Sequence, residues 1–369
     1  MKQGTSSKRC VRAAVLVASN TPLDIRDFPL SGPEEGEVLV RVSCCTICGS
    51  DIHAFTGRRK SDFLPAIVGH EIAGVVDELG PSPPTYWSGE PIVVGDRVTF
   101  SMTASCGTCL YCTRAGLPQK CVNLFKYGHT ACATDRALTG GLSEYVLLVS
   151  GTSIFKIPDM ISDGVAATSM CAGATLANAF EGTQDKASVV LVGMGMLGLW
   201  AIRTAIKNGF SRILCLDVNK DRLGFSRESG ATDVIDVSNL EAMEVADRVS
   251  SYLGGVGADL VIEMSGTAQG VRSAFLSART GGQLSLVGSV IPAGRIEVDP
   301  YEVVRRSLVI KGVHNYRPDH LASALRLGED KAHHESLRRG VSKPVPLTLV
   351  DRAFQDAIEH RSHRIMVTP

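Results

Sequence analysis

The sequence predicts an α/β protein of two domains, one rich in β-strands and one built on a parallel sheet covered by helices. The chain has 369 residues, the length of about two ordinary domains. Apolar segments separated by glycine- and proline-rich turns predict strands at 11–17, 37–43, 72–78 and 92–99. After about residue 160, apolar strands alternate with helical segments, which predicts a doubly wound parallel sheet.

The composition is that of an ordinary globular protein and excludes several classes. Hydrophobic residues make up 44%, charged residues 21%, and the formal net charge is +0, so no basic surface for nucleic acid is indicated. No run approaches the ~18 apolar residues of a membrane span. The N-terminal stretch resembles an export signal only loosely, because Arg12 interrupts a short apolar run. We therefore expect a cytoplasmic protein that binds neither nucleic acid nor membrane.

Four of the eleven cysteines lie close together in the stretch CGTCLYCTRAGLPQKC. Stable disulfides are rare in the reducing cytosol, so clustered thiols there favour a metal site. Cys106, Cys109, Cys112 and Cys121 would close a tetrahedron around one zinc ion and leave no position for a substrate. We therefore predict a structural zinc. An iron–sulfur cluster is the second interpretation, and it is less favoured because nothing nearby indicates electron transfer.

A glycine motif in the second half of the chain predicts a dinucleotide site. Gly193, Gly195 and Gly198 follow the strand SVVLV and open a helix, the context in which the backbone approaches a pyrophosphate. Asp217 ends the next strand, where a carboxylate accepts hydrogen bonds from the ribose hydroxyls of NAD. Because no arginine or lysine follows it directly, NADP is disfavoured. The predicted contacts in this segment are Gly193, Gly195, Met196, Leu197, Gly198, Asp217, Asn219 and Arg222.

Three further segments, CGSDIH, GHE and MCAGAT, carry side chains suited to a catalytic metal. As a set, Cys48, His70 and Cys171 make three zinc ligands with an open fourth position, which is typical of catalytic zinc. Zinc with an open position polarises a bound oxygen and lowers the pKa of an alcohol.

The residues beside these ligands have the types needed to support the metal and to move a proton. We expect Asp51 to orient His70, and Glu71 to lie behind the ligands or to bind the metal transiently. Ser50 and His53 have the types for a proton relay from the alcohol to water. The alcohol would then transfer a hydride to the nicotinamide.

Together these segments resemble the zinc-dependent medium-chain alcohol dehydrogenases over nearly the whole chain. The matching stretches are CGSDIH, GHE, the cysteine loop, CAGAT, VGMGMLG, LDVNKDR and GADLVIEMSG. The resemblance implies a GroES-like catalytic domain, residues 1–171 and 313–369, interrupted by a Rossmann nucleotide-binding domain, residues 172–312. It also implies Thr175 near the nicotinamide ring, Arg364 near the pyrophosphate, two zinc ions per chain, and a homodimer or homotetramer.

The chain departs from the family pattern at two places. Eight residues precede the last cysteine of the zinc loop where the family usually has seven, and Gly49 stands where some members have an arginine for the cofactor phosphates. A narrower resemblance, in YGHT, VSGTSIFKIPD, MCAGAT and GVHNY, is to a subgroup proposed to act in phosphonate catabolism. Arg58, Arg59 and Lys60 follow His53 and could bind a phosphonate or phosphate, although a solvated basic loop is the more common explanation.

The sequence therefore predicts reversible, NAD-dependent oxidation of a small alcohol to an aldehyde or ketone, with a phosphonate-bearing alcohol as one candidate substrate. A polyol or amino-alcohol dehydrogenase on the same scaffold is the first alternative. A non-catalytic nucleotide-binding protein is disfavoured because a binder needs no open zinc position. A zinc-free quinone reductase is disfavoured because it lacks both cysteine clusters.

Overall fold

The structure, a computed structural model, describes residues 10–132, 136–292 and 294–369. In chain order, its strands are β1 (Cys10–Leu16), β2 (Asp24–Pro29), β3 (Val38–Ile47), β4 (Ala66–Ile67), β5 (Glu71–Leu79), β6 (Arg97–Ala104), β7 (Phe125–Lys126), β8 (Tyr145–Leu148), β9 (Thr152–Lys156), β10 (Ser188–Val192), β11 (Arg212–Asp217), β12 (Asp233–Asp236), β13 (Ala258–Glu263), β14 (Ala278–Leu286), β15 (Val309–Gly312), β16 (Val341–Pro346) and β17 (Arg364–Thr368).

The helices lie between these strands, and three further short helical turns are of the 3₁₀ or π type. In chain order, they are α1 (Gly49–Phe55), α2 (Leu110–Thr113), α3 (Asp163–Thr168), α4 (Ala174–Ala179), α5 (Met196–Asn208), α6 (Lys220–Glu228), α7 (Ala242–Tyr252), α8 (Ala268–Ser277), α9 (Pro300–Arg305), α10 (Pro318–Gly328), α11 (Lys331–Arg339) and α12 (Val350–Ile358). The 3₁₀ turns are Pro118–Lys120 and Leu347–Leu349, and Ser169–Gly173 forms a π-helical turn. Within the described ranges, no helix has the length and apolar character needed to cross a membrane.

The first of two compact units runs to Cys171 and resumes at Val341–Pro369. As far as the residues are described, its main sheet has the order β16–β17–β3–β5–β6–β7, with β8 paired to β3 and β9 to β6. β1 pairs with β2 and β4 in a smaller sheet. The C-terminal strand β17 pairs antiparallel with β3, so sheet hydrogen bonds join the two separate segments of this unit.

The second unit, Ala172–Gly340, contains the parallel sheet that the sequence predicts. Within the described residues the strand order is β12–β11–β10–β13–β14–β15, and each neighbouring pair is parallel. This is the order of a Rossmann sheet. Every side chain of β10 is buried, which explains why its sequence is continuously apolar. The predicted α/β class and doubly wound sheet are confirmed.

The chain returns to the first unit at residue 341, whereas the sequence placed the return at residue 313. The intervening helices α10 and α11 pack within the second unit, on α4 and α5. The amphipathic faces of these helices, which include the buried Leu321 and Leu337, have partners there. A helix boundary carries no signal for which sheet the helix covers, so this difference comes from packing.

Helix α12 supports α1, the helix that carries Ser50 and His53. Phe354 on α12 is fully buried, and its ring centroid lies 4.8 Å from that of Phe55 at the end of α1. This aromatic pair therefore connects the C-terminal segment to a helix of the candidate active site.

We expect Phe354→Ala to lower the free energy of unfolding by about 3–5 kcal/mol, because a buried ring is removed and a cavity remains. Arg352→Ala on the same helix is the matched control, since the Arg352 side chain is 70% exposed. Its effect should stay within about 0.5 kcal/mol. Urea unfolding followed by circular dichroism measures both variants, and equal effects would contradict the packing role of Phe354.

Candidate active site

Three separate segments of the first unit bring Cys48, His70 and Cys171 together. Cys48 precedes α1, His70 precedes β5, and Cys171 lies in the π-helical turn Ser169–Gly173. Their ligand atoms and one Glu71 carboxylate oxygen all lie within 4.8 Å of one another. The Sγ atoms of Cys48 and Cys171 are 3.9 Å apart. Two sulfurs bound tetrahedrally to zinc at about 2.3 Å each are about 3.8 Å apart, so this pair fits zinc.

The π-helical turn Ser169–Gly173 lies directly between α3 and α4. Residues 163–179 form α3, the π-helical turn and α4 without a break. A π turn inserts an extra residue into a helical path, and such turns occur frequently at functional sites. Cys171 therefore lies at an interruption in the helix and not on a regular helical face.

Asp51 holds His70 in one orientation. Asp51 Oδ1 lies 3.3 Å from His70 Nδ1 and accepts a hydrogen bond from the Gly69 N–H at 3.2 Å. Its Oδ2 accepts from the Cys48 N–H at 2.8 Å. Burial lowers the pKa of His70, but Asp51 and then Cys48 outweigh burial and raise it to about 10. Because Nδ1 faces Asp51, Nε2 is the nitrogen available to a metal.

The thiols of the two candidate ligands, Cys48 and Cys171, contact each other. The hydrogen bond from Cys171 lowers the pKa of Cys48 well below its usual range. The same contact, followed by burial, raises the pKa of Cys171 well above its usual range. Cysteine binds a metal as the thiolate, so a divalent ion held by Cys48 and Cys171 would displace the remaining thiol proton.

Glu71 is fully buried and is held by the C-terminal strand. Arg364 on β17 donates from Nε to Glu71 Oε2 at 2.9 Å and from a terminal nitrogen to Oε1 at 2.8 Å. Thr46 Oγ1 also donates to Oε2, at 2.5 Å. Burial raises the pKa of Glu71 to about 7, and Arg364 opposes that rise. Both carboxylate oxygens are therefore engaged by Arg364 and Thr46, and one of them still lies within 4.8 Å of the three ligand atoms.

Arg364 has a role here that the sequence did not indicate. Its guanidinium lies 3.4 Å from Cys48 Sγ as well as against Glu71, and its side chain is largely buried. It therefore balances the negative charge behind the metal ligands. The expected contact of Arg364 with a cofactor pyrophosphate stays a prediction.

Ser50 and His53 lie on α1, three residues apart and thus on one helical face. Ser50 Oγ is 3.4 Å from His70 Nε2, so the hydroxyl borders the position of a metal on that nitrogen. The His53 ring is half-buried, and its Nδ1 has no hydrogen-bond partner among the described residues. Burial, followed by the charge of Arg58, lowers the pKa of His53. The ring is therefore neutral near pH 7 and able to accept a proton.

The four cysteines of the loop also converge. The Sγ–Sγ distances are 3.4 Å for Cys106–Cys121, 3.5 Å for Cys109–Cys112 and 3.9 Å for Cys109–Cys121, close to the edges of a zinc–sulfur tetrahedron. The 3₁₀ turn Pro118–Lys120 compacts the segment before the last cysteine, so the eight-residue spacing still reaches the cluster. Hydrogen bonds from Thr108 lower the pKa of Cys106 to about 6, which favours the thiolate.

The loop around these cysteines has little hydrophobic core of its own. Leu110, Tyr111 and Val122 are exposed. A segment without buried apolar side chains needs another constraint, and a closed metal site supplies one.

The glycine motif of the second unit leaves open space at a helix N-terminus. Gly193 has a φ of +94°, and a Cβ there would lie 2.7 Å from the Ser265 backbone nitrogen, so only glycine is accommodated. Gly195 precedes the first residue of α5, and a Cβ there would meet no atom within 4 Å. Met196 and Leu197 begin α5. Backbone N–H groups at this helix start are suited to a pyrophosphate.

Asp217 lies at the end of β11, beside this motif. Its Oδ2 accepts a hydrogen bond from the Met194 N–H at 2.5 Å, and its Oδ1 accepts from the Asn219 N–H at 2.8 Å. The Asn219 side chain accepts from the Arg222 N–H and so caps α6. Gly193, Asp217 and Arg222 line a cavity of about 340 Å³. A buried carboxylate on this cavity fits ribose hydroxyls. Thr175 is buried in α4.

Two residues near the candidate metal ligands, Lys126 and His129, were not among the site residues that the sequence predicts. The ring centroid of His129 lies 5.2 Å from that of His70, and the His129 N–H donates to the Lys126 carbonyl. The stretch YGHT, which contains His129, was named only as part of the resemblance to a subgroup of the family. No spacing pattern relates it to the ligand segments, so the sequence carried no physical signal for its position.

Comparison with known proteins identifies the family. The family described as "Alcohol dehydrogenase GroES-like domain" matches residues 34–159, and "Zinc-binding dehydrogenase" matches residues 196–330. An L-threonine 3-dehydrogenase of Francisella philomiragia is 33% identical over 301 residues, which cover 79% of this chain and 80% of that protein.

Solved structures agree over almost the full length. An alcohol dehydrogenase from Thermotoga maritima matches with a TM-score of 0.91 at 26% identity, covering 98% of this chain and 100% of that one. A 2R,3R-butanediol dehydrogenase from Bacillus subtilis matches with a TM-score of 0.80 at 25% identity, covering 97% and 99%. The chain therefore belongs to the zinc-dependent medium-chain alcohol dehydrogenase family of oxidoreductases.

Proposed function

We propose that this enzyme catalyses the reversible, NAD-dependent oxidation of an alcohol to an aldehyde or ketone, with one catalytic and one structural zinc per chain. The convergence of Cys48, His70 and Cys171 carries the proposal. Glu71 is held by Arg364 and Thr46, so three ligands remain and a fourth position is open to substrate. Catalytic zinc sites have this arrangement, whereas structural sites are closed.

Residues of the chain supply positioning and proton transfer around the metal. Bound zinc would supply a Lewis acid that lowers the pKa of an alcohol hydroxyl, and NAD would supply the hydride acceptor. Ser50 accepts the alcohol proton while it gives up its own, and the neutral His53 takes that proton towards solvent. Asp51 holds the His70 ring so that Nε2 stays directed at the metal.

The second unit provides the features that support NAD as the cofactor. The N-terminus of α5 would bind the pyrophosphate, and the Asp217 carboxylate would accept hydrogen bonds from the adenosine ribose. A 2′-phosphate would meet this carboxylate, which makes NADP the poorer cofactor. Val218, the next residue, carries no charge that could neutralise such a phosphate.

Polyols and amino alcohols form a second substrate class that the relatives favour. Threonine and 2,3-butanediol, named in two of the relatives, each carry an amine or a second hydroxyl beside the alcohol. Two such groups can reach one metal ion together. A screen of NADH formation over simple alcohols, polyols and amino alcohols distinguishes the two classes.

We also expect a homodimer or homotetramer that forms through the second unit. In the described residues β15 ends its sheet, and Val304, Val309 and Ile310 are exposed nearby. An apolar edge strand can pair with a second copy of the chain. We place the enzyme in the cytoplasm, because both proposed metal sites require reduced sulfur.

Cys171→Ser should remove the catalytic zinc and lower kcat by about three orders of magnitude, because the Lewis acid is lost. Zinc per chain, measured by mass spectrometry, should fall from about two to about one, while NAD binding persists. Cys10→Ser is the control, since Cys10 is an exposed thiol outside both clusters. Retained turnover in Cys171→Ser would contradict the catalytic role of this cluster.

Cys112→Ser should empty the other site and expose its loop. We expect about one zinc per chain and rapid cleavage by trypsin after Arg114 and Lys120, because the loop lacks apolar burial of its own. Limited proteolysis and metal analysis measure this outcome. A variant that keeps both zinc ions and the original cleavage pattern would show that the four thiols do not hold a metal.

Asp217→Asn should lower the ratio of kcat/KM for NAD to that for NADP by about tenfold or more, because the charged acceptor for the ribose hydroxyls is lost. Asp236→Asn is the matched control at the end of the neighbouring strand β12, outside the cofactor cavity. Steady-state kinetics with both nucleotides measures the ratio. An unchanged ratio in Asp217→Asn would mean that other residues select the cofactor.

A further inference from the structure

A second cluster of side chains lies against the metal centre and has no part in the proton relay. The ring centroid of His129 is 5.2 Å from that of His70 and 5.1 Å from that of Phe63. A terminal nitrogen of Arg59 lies 3.3 Å from His129 Nε2. Lys126 begins the tight turn in which the His129 N–H donates to the Lys126 carbonyl at 3.2 Å. We call Arg59, Lys126 and His129 the cationic cluster.

Backbone packing sets the position of His129 beside His70. Gly128 has a φ of +68°, and a Cβ there would lie 2.6 Å from the Gly69 carbonyl oxygen. The Gly128 N–H donates to the Thr139 carbonyl at 2.8 Å. Only glycine permits both this φ and this close approach. The turn is therefore fixed against the residue that precedes the metal ligand.

His129 orients Arg59 through a hydrogen bond of defined direction. His129 Nδ1 lies 3.0 Å from the Tyr127 carbonyl oxygen, which can only accept, so Nδ1 carries the proton. The neutral ring then presents a lone pair at Nε2, and Arg59 donates to it. A guanidinium has five N–H donors, so the bond to His129 uses only one of them.

Among the described residues, neither Arg59 nor Lys126 forms an ion pair with a carboxylate. In contrast, Lys60 of the same loop pairs with Asp62 at 3.5 Å and is 90% exposed. Burial, followed by the charge of Arg59, lowers the pKa of Lys126. Partly buried cations without a counter-ion are costly, and a bound anion would relieve the cost.

The metal centre does not itself require these two cations. Zinc with two thiolates and a neutral imidazole carries no net charge, and Arg364 neutralises Glu71. Asp51 contributes one negative charge, whereas Arg59 and Lys126 contribute two positive charges. The balance leaves one positive charge in excess, so the cluster has more charge than the metal ligands can explain.

We propose that Arg59 and Lys126 bind an oxyanion carried by the alcohol substrate, with His129 positioning Arg59. Carboxylate, phosphate and phosphonate groups share the paired oxygens that a guanidinium fork and an ammonium group bind. This inference rests on the proposed function, because the anion belongs to the molecule whose hydroxyl reaches the zinc. The sequence suggested that Arg58, Arg59 and Lys60 together could bind such an anion. The inference keeps only Arg59 of these three, since Arg58 and Lys60 are exposed.

Matched pairs of alcohols test the proposal with the zinc-loaded enzyme. The neutral substrates are 1-butanol and 2-butanol; the carboxylates are 4-hydroxybutyrate and 3-hydroxybutyrate; the phosphonates are the corresponding hydroxypropylphosphonates. We expect Arg59→Gln and Lys126→Gln to lower kcat/KM for the anionic alcohols by about ten- to hundredfold. Neutral alcohols should change by less than about threefold. Comparison of the carboxylates with the phosphonates identifies the anion.

The control variants distinguish the effect of the cationic cluster on anion selectivity from the effect of other charges in the same loop. Arg58→Gln and Lys60→Gln, which remove exposed charges of the same loop, should leave the selectivity for anionic alcohols unchanged. His129→Asn keeps an acceptor for Arg59 and should retain most of that selectivity. His129→Leu should lose it through KM while kcat for neutral alcohols and the zinc content stay the same.

Methylphosphonate and acetate provide a readout that does not depend on turnover, because neither carries a hydroxyl. At least one of these anions should raise the Tm of the zinc-loaded wild-type enzyme, but not that of Arg59→Gln or Lys126→Gln.

Equal losses on neutral and anionic alcohols, or anion protection that persists in both variants, would overturn the inference and leave alcohol oxidation intact. Anion protection in a wild-type enzyme that oxidises no alcohol would support the anion site and overturn the proposed function.

Discussion

The carboxylate of Asp51 accepts hydrogen bonds from two backbone N–H groups, those of Cys48 and Gly69, and faces Nδ1 of His70. One buried side chain thus ties the start of α1 to the segment that leads into β5. The candidate metal ligands on these two segments keep a fixed separation because both segments are held by the same carboxylate. The third ligand, Cys171, reaches them from the π-helical turn. The whole candidate site depends on this arrangement.

The charged side chains behind the candidate metal ligands neutralise each other, whereas the cations near His70 are not neutralised by a carboxylate of the described residues. Arg364 pairs with Glu71 inside the unit, so the buried acid behind the metal carries no unopposed charge. Arg59 and Lys126, in contrast, meet near His70 without a carboxylate among the described residues. A catalytic metal would then have the neutralised Arg364–Glu71 pair on one side and the cations Arg59 and Lys126 on the other. Such a site would attract an alcohol that carries an anionic group. The same balance explains why burial of Glu71 is tolerated, since its partner is buried with it.

Different interactions stabilise the functional segments of the two units. In the second unit, parallel strands such as β10 are buried along their whole length, so hydrophobic burial holds the glycine motif in place. In the first unit, the loop from Cys106 to Cys121 has exposed apolar side chains, and four converging thiols take the place of a core. Under the proposed function, metal would serve the first unit twice, once for chemistry and once for stability.

What the sequence determined by itself is local. Strand and helix patterns, the glycine turn with Asp217, and the short cysteine spacings each involve residues a few positions apart, where backbone geometry limits the outcome. The sequence offered Cys48, His70 and Cys171 as ligands from three separate motifs; the structure brings them together, and their role as zinc ligands stays a prediction. Tertiary structure alone decided the contact of Arg364 with Glu71, the position of His129 and the return of the chain at residue 341. Those features depend on which distant surfaces pack together, and no local pattern encodes that choice.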